Sequence, residues 1–366
     1  MSGFDAARLA RPEILALEPY ASARSLADDS GILLNANENP FPPAIDGGRG
    51  LNRYPEPQPS KLVARFAELY GVGADRLLVT RGSDEGIDLL VRTFCRPGHD
   101  AVLVCPPCFG MYALSARVQG APVLVAPLVE RNGEFGLHDA TAERAAGCRI
   151  VFLCSPNNPT GNRVRADEIR EIAAAAGDGL VVVDEAYAEF DEAPSAIGLL
   201  DEVPNLVVLR TLSKAWALAG CRVGCVVAAP SVIALLRRIL APYPLPTPTI
   251  ERALAALSPD ARAAQARALE RIAAEKPRLV EALARHPAIE RVWPGHANFV
   301  LVRAADGPGL VSAAAAAGIR LRDQSRQPGL ADCVRVTIGT REENDRLIEF
   351  LEEEFPATET TSGGKS

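Results

Sequence analysis

The 366-residue sequence lacks any apolar stretch long enough to cross a bilayer, and no basic leader with an apolar core opens it. Both absences predict a cytoplasmic protein with no membrane partner. Positive charge is also short: 39 lysines and arginines against 46 aspartates and glutamates leave a formal net charge of -7. That balance argues against nucleic acid as an obligate partner, and no basic DNA-reading segment is present. It leaves room for a small anion held by a few placed arginines. The eight cysteines fall at irregular distances, which predicts free thiols in a reducing compartment rather than a disulfide frame. The one C-x-x-C, Cys105-Pro106-Pro107-Cys108, has no second ligand pair, and prolines stand where a redox motif starts a helix. No metal is expected, and no internal repeats occur.

What is present is ordinary for a globular enzyme: 48% hydrophobic and 23% charged residues, at a length that allows a large and a smaller domain. Residues 1–45 read as an arm that also contributes to the smaller domain, with an amphipathic piece at 12–17. A Pro- and Gly-rich extended stretch follows from Asn39 to Pro57. Residues 60–70 read as a helix, with Ser60 as N-cap and Gly71 ending it. Short apolar runs then alternate with helical patterns, at 77–80, 101–104, 122–125, 150–153, 180–183, 206–209 and 223–227. Most are continuously apolar, as strands buried on both faces are. Strands separated by helices predict an α/β fold, a mixed and mostly parallel seven-stranded sheet sandwiched by helices over residues 46–247. The run at 223–227 follows a polar turn and glycines and can be antiparallel.

Past Pro248 the texture changes. Residues 249–286 read as one long or broken helix, with Pro277 at a kink or a helix start. Strand candidates follow at 298–302, 319–322 and 334–338, and a helix at 342–355, so residues 248–356 are expected to form a small α+β domain. A polar tail, 357–366, is expected to be disordered.

Five segments at strand ends carry side chains with chemistry. In Leu209-Arg210-Thr211-Leu212-Ser213-Lys214 an amine stands just past a buried strand beside two hydroxyls, where it can form a Schiff base with an aldehyde once its pKa is lowered. Thr211, Ser213 and Arg222 can bind a phosphate. Alone, the segment reads as well as a loop lysine near a surface arginine. In Leu180-Val181-Val182-Val183-Asp184-Glu185-Ala186-Tyr187 a carboxylate sits where open α/β sheets bind ligands, and it can pair with a protonated pyridine nitrogen. A metal-binding or helix-capping acid is the alternative. Cys154-Ser155-Pro156-Asn157-Asn158-Pro159-Thr160-Gly161 can present the Asn157 amide to a phenolic oxygen, or be a plain turn. Arg81-Gly82-Ser83-Asp84-Glu85-Gly86 opens a helix whose free N–H groups suit a phosphate, although it is neither a Walker loop nor G-x-G-x-x-G. In Cys108-Phe109-Gly110-Met111-Tyr112 the Phe109 ring can stack on an aromatic cofactor or simply pack. Together they supply what pyridoxal 5'-phosphate (PLP) needs: a phosphate cradle, a ring stacker, an oxygen donor, an acid and an amine at one sheet edge.

The order Ser155-Pro156-Asn157-Asn158-Pro159-Thr160-Gly161, Asp184-Glu185-Ala186-Tyr187, Ser213-Lys214 and Arg222 resembles the fold-type I aminotransferases. Further segments narrow the resemblance to the histidinol-phosphate aminotransferase family. They are Leu34–Pro40, Arg53-Tyr54-Pro55-Glu56-Pro57-Gln58, Arg81–Glu85, Arg210–Ala215, Ala241–Leu245, Pro19-Tyr20 and Arg335–Glu343, so that nearly the whole chain is covered. The resemblance implies that Lys214 bonds to the cofactor aldehyde and moves the proton between substrate carbon and cofactor carbon. Asp184 would pair with the ring nitrogen, and Asn157 and Tyr187 would contact the ring hydroxyl. Ser83, Asp84, Thr211, Ser213 and Arg222 would surround the phosphate, and Phe109 would stack on the ring. Tyr54 would reach the phosphate of a neighbouring subunit, which implies a homodimer with shared sites. Arg335 would bind a substrate carboxylate or phosphate, with Tyr20, Arg322 and Tyr243 as helpers and Asn157 nearby. The family usually carries tyrosine at the position of Phe109 and threonine at that of Cys108, so a hydroxyl contact is missing here. The implied reaction is reversible amino transfer between L-histidinol phosphate and 2-oxoglutarate, giving imidazole-acetol phosphate and L-glutamate in histidine biosynthesis. The rivals are an aromatic amino-acid aminotransferase, a phosphothreonine decarboxylase and a PLP-binding regulatory module.

Overall fold

The structure is a computed structural model that describes residues 4–26 and 32–356; the polar tail at 357–366 lies outside the described residues. The strands in chain order are β1 (Leu77–Thr80), β2 (Val102–Val104), β3 (Val123–Val125), β4 (Val129–Arg131), β5 (Glu134–Gly136), β6 (Ile150–Cys154), β7 (Leu180–Asp184), β8 (Leu206–Thr211) and β9 (Gly224–Ala228). Seven of them form one sheet in the order β1-β9-β8-β7-β6-β2-β3, while β4 and β5 pair as a separate hairpin. Strands β3, β2, β6, β7 and β8 are parallel. β9 is antiparallel to both β8 and β1, because the connection before it holds only the short turn Ala219–Cys221 and no crossover helix.

The apolar runs are explained by two cores. Along β7, Val181 and Val183 enter the core on one face of the sheet, and Leu180 and Val182 enter the core on the other. No position on such a strand faces water, so none is polar until the strand ends at Asp184. Each fully buried side chain of this kind contributes roughly 1.5–3 kcal/mol relative to an exposed one. The helix Gly82–Phe94 covers one face with Ile87, Leu90 and Val91, and the helix Ala166–Ala176 covers the other with Ile169 and Ile172.

A second sheet, wholly antiparallel, runs β10 (Ile289–Trp293), β11 (Phe299–Ala304), β13 (Cys333–Thr337) and β12 (Arg322–Asp323) in that spatial order. Leu279 and Leu283 of the helix Pro259–Arg285, and Leu347, Phe350 and Leu351 of the helix Arg341–Glu354, close its core. Among the described residues no helix is long and apolar enough to cross a membrane.

Several boundaries differ from those expected. Ser60 is the first helical residue rather than the N-cap, which is Pro59. The Glu56 carboxylate accepts from both the Ser60 N–H at 2.7 Å and its hydroxyl at 3.2 Å, drawing Ser60 into the first turn. The stretch 249–286, expected as one long or broken helix, is the broken form: two helices, Thr247–Ala256 and Pro259–Arg285. Ser258 caps the second and Pro259 takes its first position, which ends the ladder of the helix before. Pro277 lies inside that second helix. The strand expected at 319–322 shrinks to Arg322–Asp323, and β10, β4 and β5 were not expected at all.

Candidate active site

A cavity of about 710 Å³ opens at the carboxyl ends of β6, β7 and β8, beneath the second sheet. Asp184 is its floor. The side chain is buried, with Oδ2 accepting from the Tyr112 hydroxyl at 2.8 Å and Oδ1 from the Ala186 N–H at 3.1 Å. Burial pushes the carboxyl up to about 6 in spite of these donors. A buried acid in that state gains from a cation placed against it.

Lys214 opens into the same cavity, and its side-chain amine forms no hydrogen bond or ion pair among the described residues. Its Nζ stands 5.6 Å from the centre of the Tyr187 ring. Desolvation, followed by the positive field of Arg335, holds the amine below the usual lysine range. Free base is therefore available at a lower pH than on a surface lysine, as amine nucleophiles need.

Donors converge on one corner. The hydroxyl oxygens of Thr211 and Ser213 lie 3.0 Å apart, and Arg222 Nη1 donates to Ser213 Oγ at 3.0 Å. Beside them starts the helix Gly82–Phe94, whose N-cap, Arg81, supplies no side-chain cap. The first amides, those of Gly82, Ser83 and Asp84, have no acceptor within the helix. Asp84 turns its carboxylate onto Arg222 Nη2 at 3.0 Å. Gly82 has φ +76°, and a Cβ there would stand 2.7 Å from Arg222 Nη2, so only glycine lets the helix start close against the guanidinium. Hydroxyls, a guanidinium and helix-start amides together suit a phosphate.

The opposite wall comes from the second sheet. Arg335 on β13 and Arg322 on β12 are directly paired across the ladder, and both line the cavity. Neither is bonded to a carboxylate among the described residues. Like charges placed opposite one another are destabilising unless an anion joins them. Arg335 Nη1 donates to Asn158 Oδ1, its guanidinium lies 5.2 Å from the centre of the Phe299 ring, and its Nε is buried without a partner.

Of the residues singled out from sequence, Ser83, Asp84, Phe109, Asp184, Tyr187, Thr211, Ser213, Lys214, Arg222, Arg322 and Arg335 line this one cavity. Asn157 does not. Its Nδ2 is engaged behind the wall by Pro107 O at 2.9 Å and Thr160 Oγ1 at 2.6 Å, and the neighbouring Asn158 faces the cavity instead. Tyr54 is half exposed and stacks on Tyr243 with ring centres 4.4 Å apart, away from the cavity. Tyr20 is 74% exposed and also lies outside it.

The Aminotransferase class I and II family matches residues 29–351 of the chain. The chain belongs to that family. The histidinol-phosphate aminotransferase of Stenotrophomonas maltophilia (strain R551-3) is 48% identical over 353 residues, 95% of this chain and 96% of that protein. The same enzyme from Clostridium acetobutylicum superimposes with a TM-score of 0.76 over 83% of this chain and 91% of its own, at 23% identity. That from Sinorhizobium meliloti, in complex with pyridoxal-5'-phosphate, gives 0.74 over 93% and 96%, also at 23% identity. The last two likenesses concern the fold.

In this aminotransferase the sequence reading missed Tyr112, Asn158 and Gln324. Tyr112 was in view beside Phe109, but only the helix Met111–Gln119 turns its hydroxyl onto Asp184, 72 residues away. It is fully buried, stacked on Phe152 with centres 4.7 Å apart and edge-on to Phe109 at 5.6 Å. Asn158 links Tyr187, at 3.4 Å to its hydroxyl, with Arg335 on the other wall. Gln324, buried next to Arg322, accepts from the Gln327 amide at 3.2 Å. Gly161, at φ +75°, explains how the walls approach: a Cβ there would be 2.8 Å from Gly295 Cα, and the His296 N–H donates to Gly161 O at 2.7 Å.

Replacing Arg335 by alanine is expected to raise KM for anionic amino donors by roughly 10- to 150-fold, the loss of about 1.5–3 kcal/mol for a hydrogen bond to charge. The same variant removes a positive neighbour from Lys214, so the pKa of that amine should rise. Steady-state kinetics with donors of different charge check the first effect, and the pH profile checks the second.

Proposed function

We propose that this aminotransferase binds PLP in the cavity and carries out reversible amino transfer between L-histidinol phosphate and 2-oxoglutarate. The other two species are imidazole-acetol phosphate and L-glutamate. One observation carries the substrate reading: Arg322 and Arg335, paired across β12 and β13 with no carboxylate bonded to them among the described residues, face the amine of Lys214 and the acid of Asp184 across one cavity. Each substrate brings an anionic group, carboxylate or phosphate, to such a pair. The 48% identity to a histidinol-phosphate aminotransferase over nearly the full length of both chains supports the same substrates.

When bound, PLP supplies an aldehyde that accepts the amino group and a ring that draws electrons from the carbon losing its proton. The chain supplies the rest. Lys214 would hold the cofactor and carry the proton, its amine held below the usual lysine range by burial and by Arg335. Asp184, oriented by Tyr112 and Ala186, keeps a proton on the ring nitrogen. Thr211, Ser213, Arg222 and the amides of Ser83 and Asp84 would hold the phosphate, Phe109 would stack on the ring, and Tyr187 would contact its hydroxyl, all of them residues that line the cavity. Asn157 acts from behind, through the turn that presents Asn158. Arg335 and Arg322 fix the substrate anion so that its amino carbon lies near Lys214.

The arm fits a second copy of the chain as partner. Phe41 and Ile45 are 77% and 80% exposed, and Tyr54 and Tyr20 stand free of their own cavity. In a homodimer they would cover apolar surface, Tyr54 would reach the neighbouring phosphate, and Tyr20 and Tyr243 would border the neighbouring substrate. All eight cysteines are free, which fits the cytoplasm.

The test is a panel of amino donors offered with 2-oxoglutarate: histidinol phosphate, phenylalanine, tyrosine and phosphothreonine. Histidinol phosphate should turn over with the highest kcat/KM and release no carbon dioxide. Equal or faster turnover of an aromatic donor, or carbon dioxide from phosphothreonine, would overturn the substrate reading and leave the cofactor reading standing.

A further inference from the structure

We propose that Arg210 is a positioning residue. With Glu185 and Glu189 it clamps the turn carrying Lys214 to the segment carrying Asp184 and Tyr187, and so sets how the amine and the acid face a ring placed between them. The inference rests on the PLP reading above.

The need for a clamp follows from where the sheet stops. β7 and β8 pair as far as Asp184 opposite Leu209, and the Glu185 N–H still donates to Leu209 O at 3.0 Å. Beyond that, among the described residues, no backbone hydrogen bond joins 186–189 to 211–216. Tyr187 and Lys214 stand in this unladdered zone, so the ladder, which ends at Asp184, does not fix how the amine is spaced from the acid.

Side chains take over. Arg210 Nη1 donates to Glu185 Oε2 and Nη2 to Glu189 Oε1, each at 2.7 Å. Trp216 Nε1 donates to the same Glu189 oxygen at 3.3 Å. Lys214 therefore lies between two anchor points on its own turn, Arg210 before it and Trp216 after it. Both are tied to carboxylates that flank Tyr187 and follow Asp184. Glu185 is itself fixed by the Ser195 hydroxyl and, at 2.6 Å, by the Ala196 N–H. The Tyr70 ring lies against the Arg210 guanidinium, 4.9 Å from ring centre to carbon.

Stability alone does not account for this arrangement. The side chains of Arg210, Glu185 and Glu189 retain only 8%, 6% and 14% of their exposure, and two carboxylates around one guanidinium leave an uncompensated negative charge. Replacing such buried ionic groups with apolar residues is often neutral or stabilising. What the arginine fork supplies is direction, since its planar donors fix two carboxylates at once. No part of the clamp lines the cofactor cavity, so its influence passes through Lys214, Asp184 and Tyr187.

The experiment uses the full chain loaded with PLP, with Arg210→Lys, Arg210→Met and Glu189→Gln as variants. A cavity of about 670 Å³ borders Arg210 on its outer side, so water can meet a shorter side chain there. Arg278→Met, in an ion cluster with Glu275 and Asp345 between the helices Pro259–Arg285 and Arg341–Glu354, is the control for general destabilisation. In the clamp variants the pH titration of the visible absorbance should move by about 0.5 unit or more. The dissociation constant for PLP should rise roughly fivefold or more. kcat should fall roughly tenfold or more, with KM for the amino donor within about twofold, as expected when the reacting groups are misplaced while the substrate is still held. Arg210→Lys, keeping the charge without the fork, should recover thermal stability but not the titration. If the clamp variants lower only the melting temperature, as the control does, the proposal fails. A wild-type protein with no visible band that Lys214→Ala removes would instead overturn the PLP reading itself.

Discussion

Replacing Lys214 by alanine should reduce amino transfer by roughly 10⁴-fold or more, the upper range for removing a placed proton carrier, and abolish the visible absorbance of the loaded protein. The size of the effect follows from Lys214 combining two duties, holding the cofactor and moving the proton, with no second amine among the described residues that line the cavity. The fold should not suffer. The Lys214 amine opens into the cavity and bonds to no described residue, so its loss leaves no buried group unpaired, and the melting temperature should stay within a few degrees. Arginine at 214 separates charge from chemistry: it preserves the positive charge but has no free base near neutral pH, so it should be as inactive as alanine. Single-turnover conversion of loaded enzyme with glutamate gives the measurement. An alanine variant that kept turnover within tenfold of wild type would remove Lys214 from the mechanism.

How far this site could be read from sequence depends on what fixed each residue. Lys214, Asp184 and the start of the helix at Gly82 each follow a strand whose continuous apolar run is forced by burial on both faces. β7 and β8 are parallel neighbours, and β1, separated from β8 by the antiparallel β9, runs in the same direction, so the ends of all three lie at one edge of the sheet. The cavity floor was therefore legible, as was the seven-stranded sheet. Contacts that arise when two sheets or a helix meet left no local mark. Tyr112 reaches Asp184 only through the rotation of a helix, and Asn158 meets Arg335 across 177 residues. β10 escaped notice because only its end residues, Ile289 and Trp293, are buried, so its pattern Ile-Glu-Arg-Val-Trp shows neither alternation nor an apolar run. The exposed three-residue strands β4 and β5 had even less signal.

Asparagine at Asp184 should lower kcat by several powers of ten, on the order of 4 kcal/mol of barrier, while keeping the size of the side chain and an acceptor for Tyr112. The loss comes from charge alone: an amide cannot keep a proton on the ring nitrogen, and a neutral ring draws electrons less strongly from the carbon being deprotonated. The same charge gives a second, independent signature. Burial raises the carboxyl from an ordinary 3.8 to about 6 in the cofactor-free chain, so between those values the folded state binds more protons than the unfolded one. The contribution of this group to stability therefore falls as pH rises from about 4 to about 6. A protonated ring nitrogen against Asp184 favours the charged form and reverses that fall. Stabilisation by a fixed concentration of PLP should consequently increase between about pH 5 and pH 7 in the wild-type protein. Asparagine, with nothing to titrate, should flatten that increase. Melting curves with and without PLP across this range decide the matter: an equal increase in both proteins would mean that Asp184 does not face the ring nitrogen.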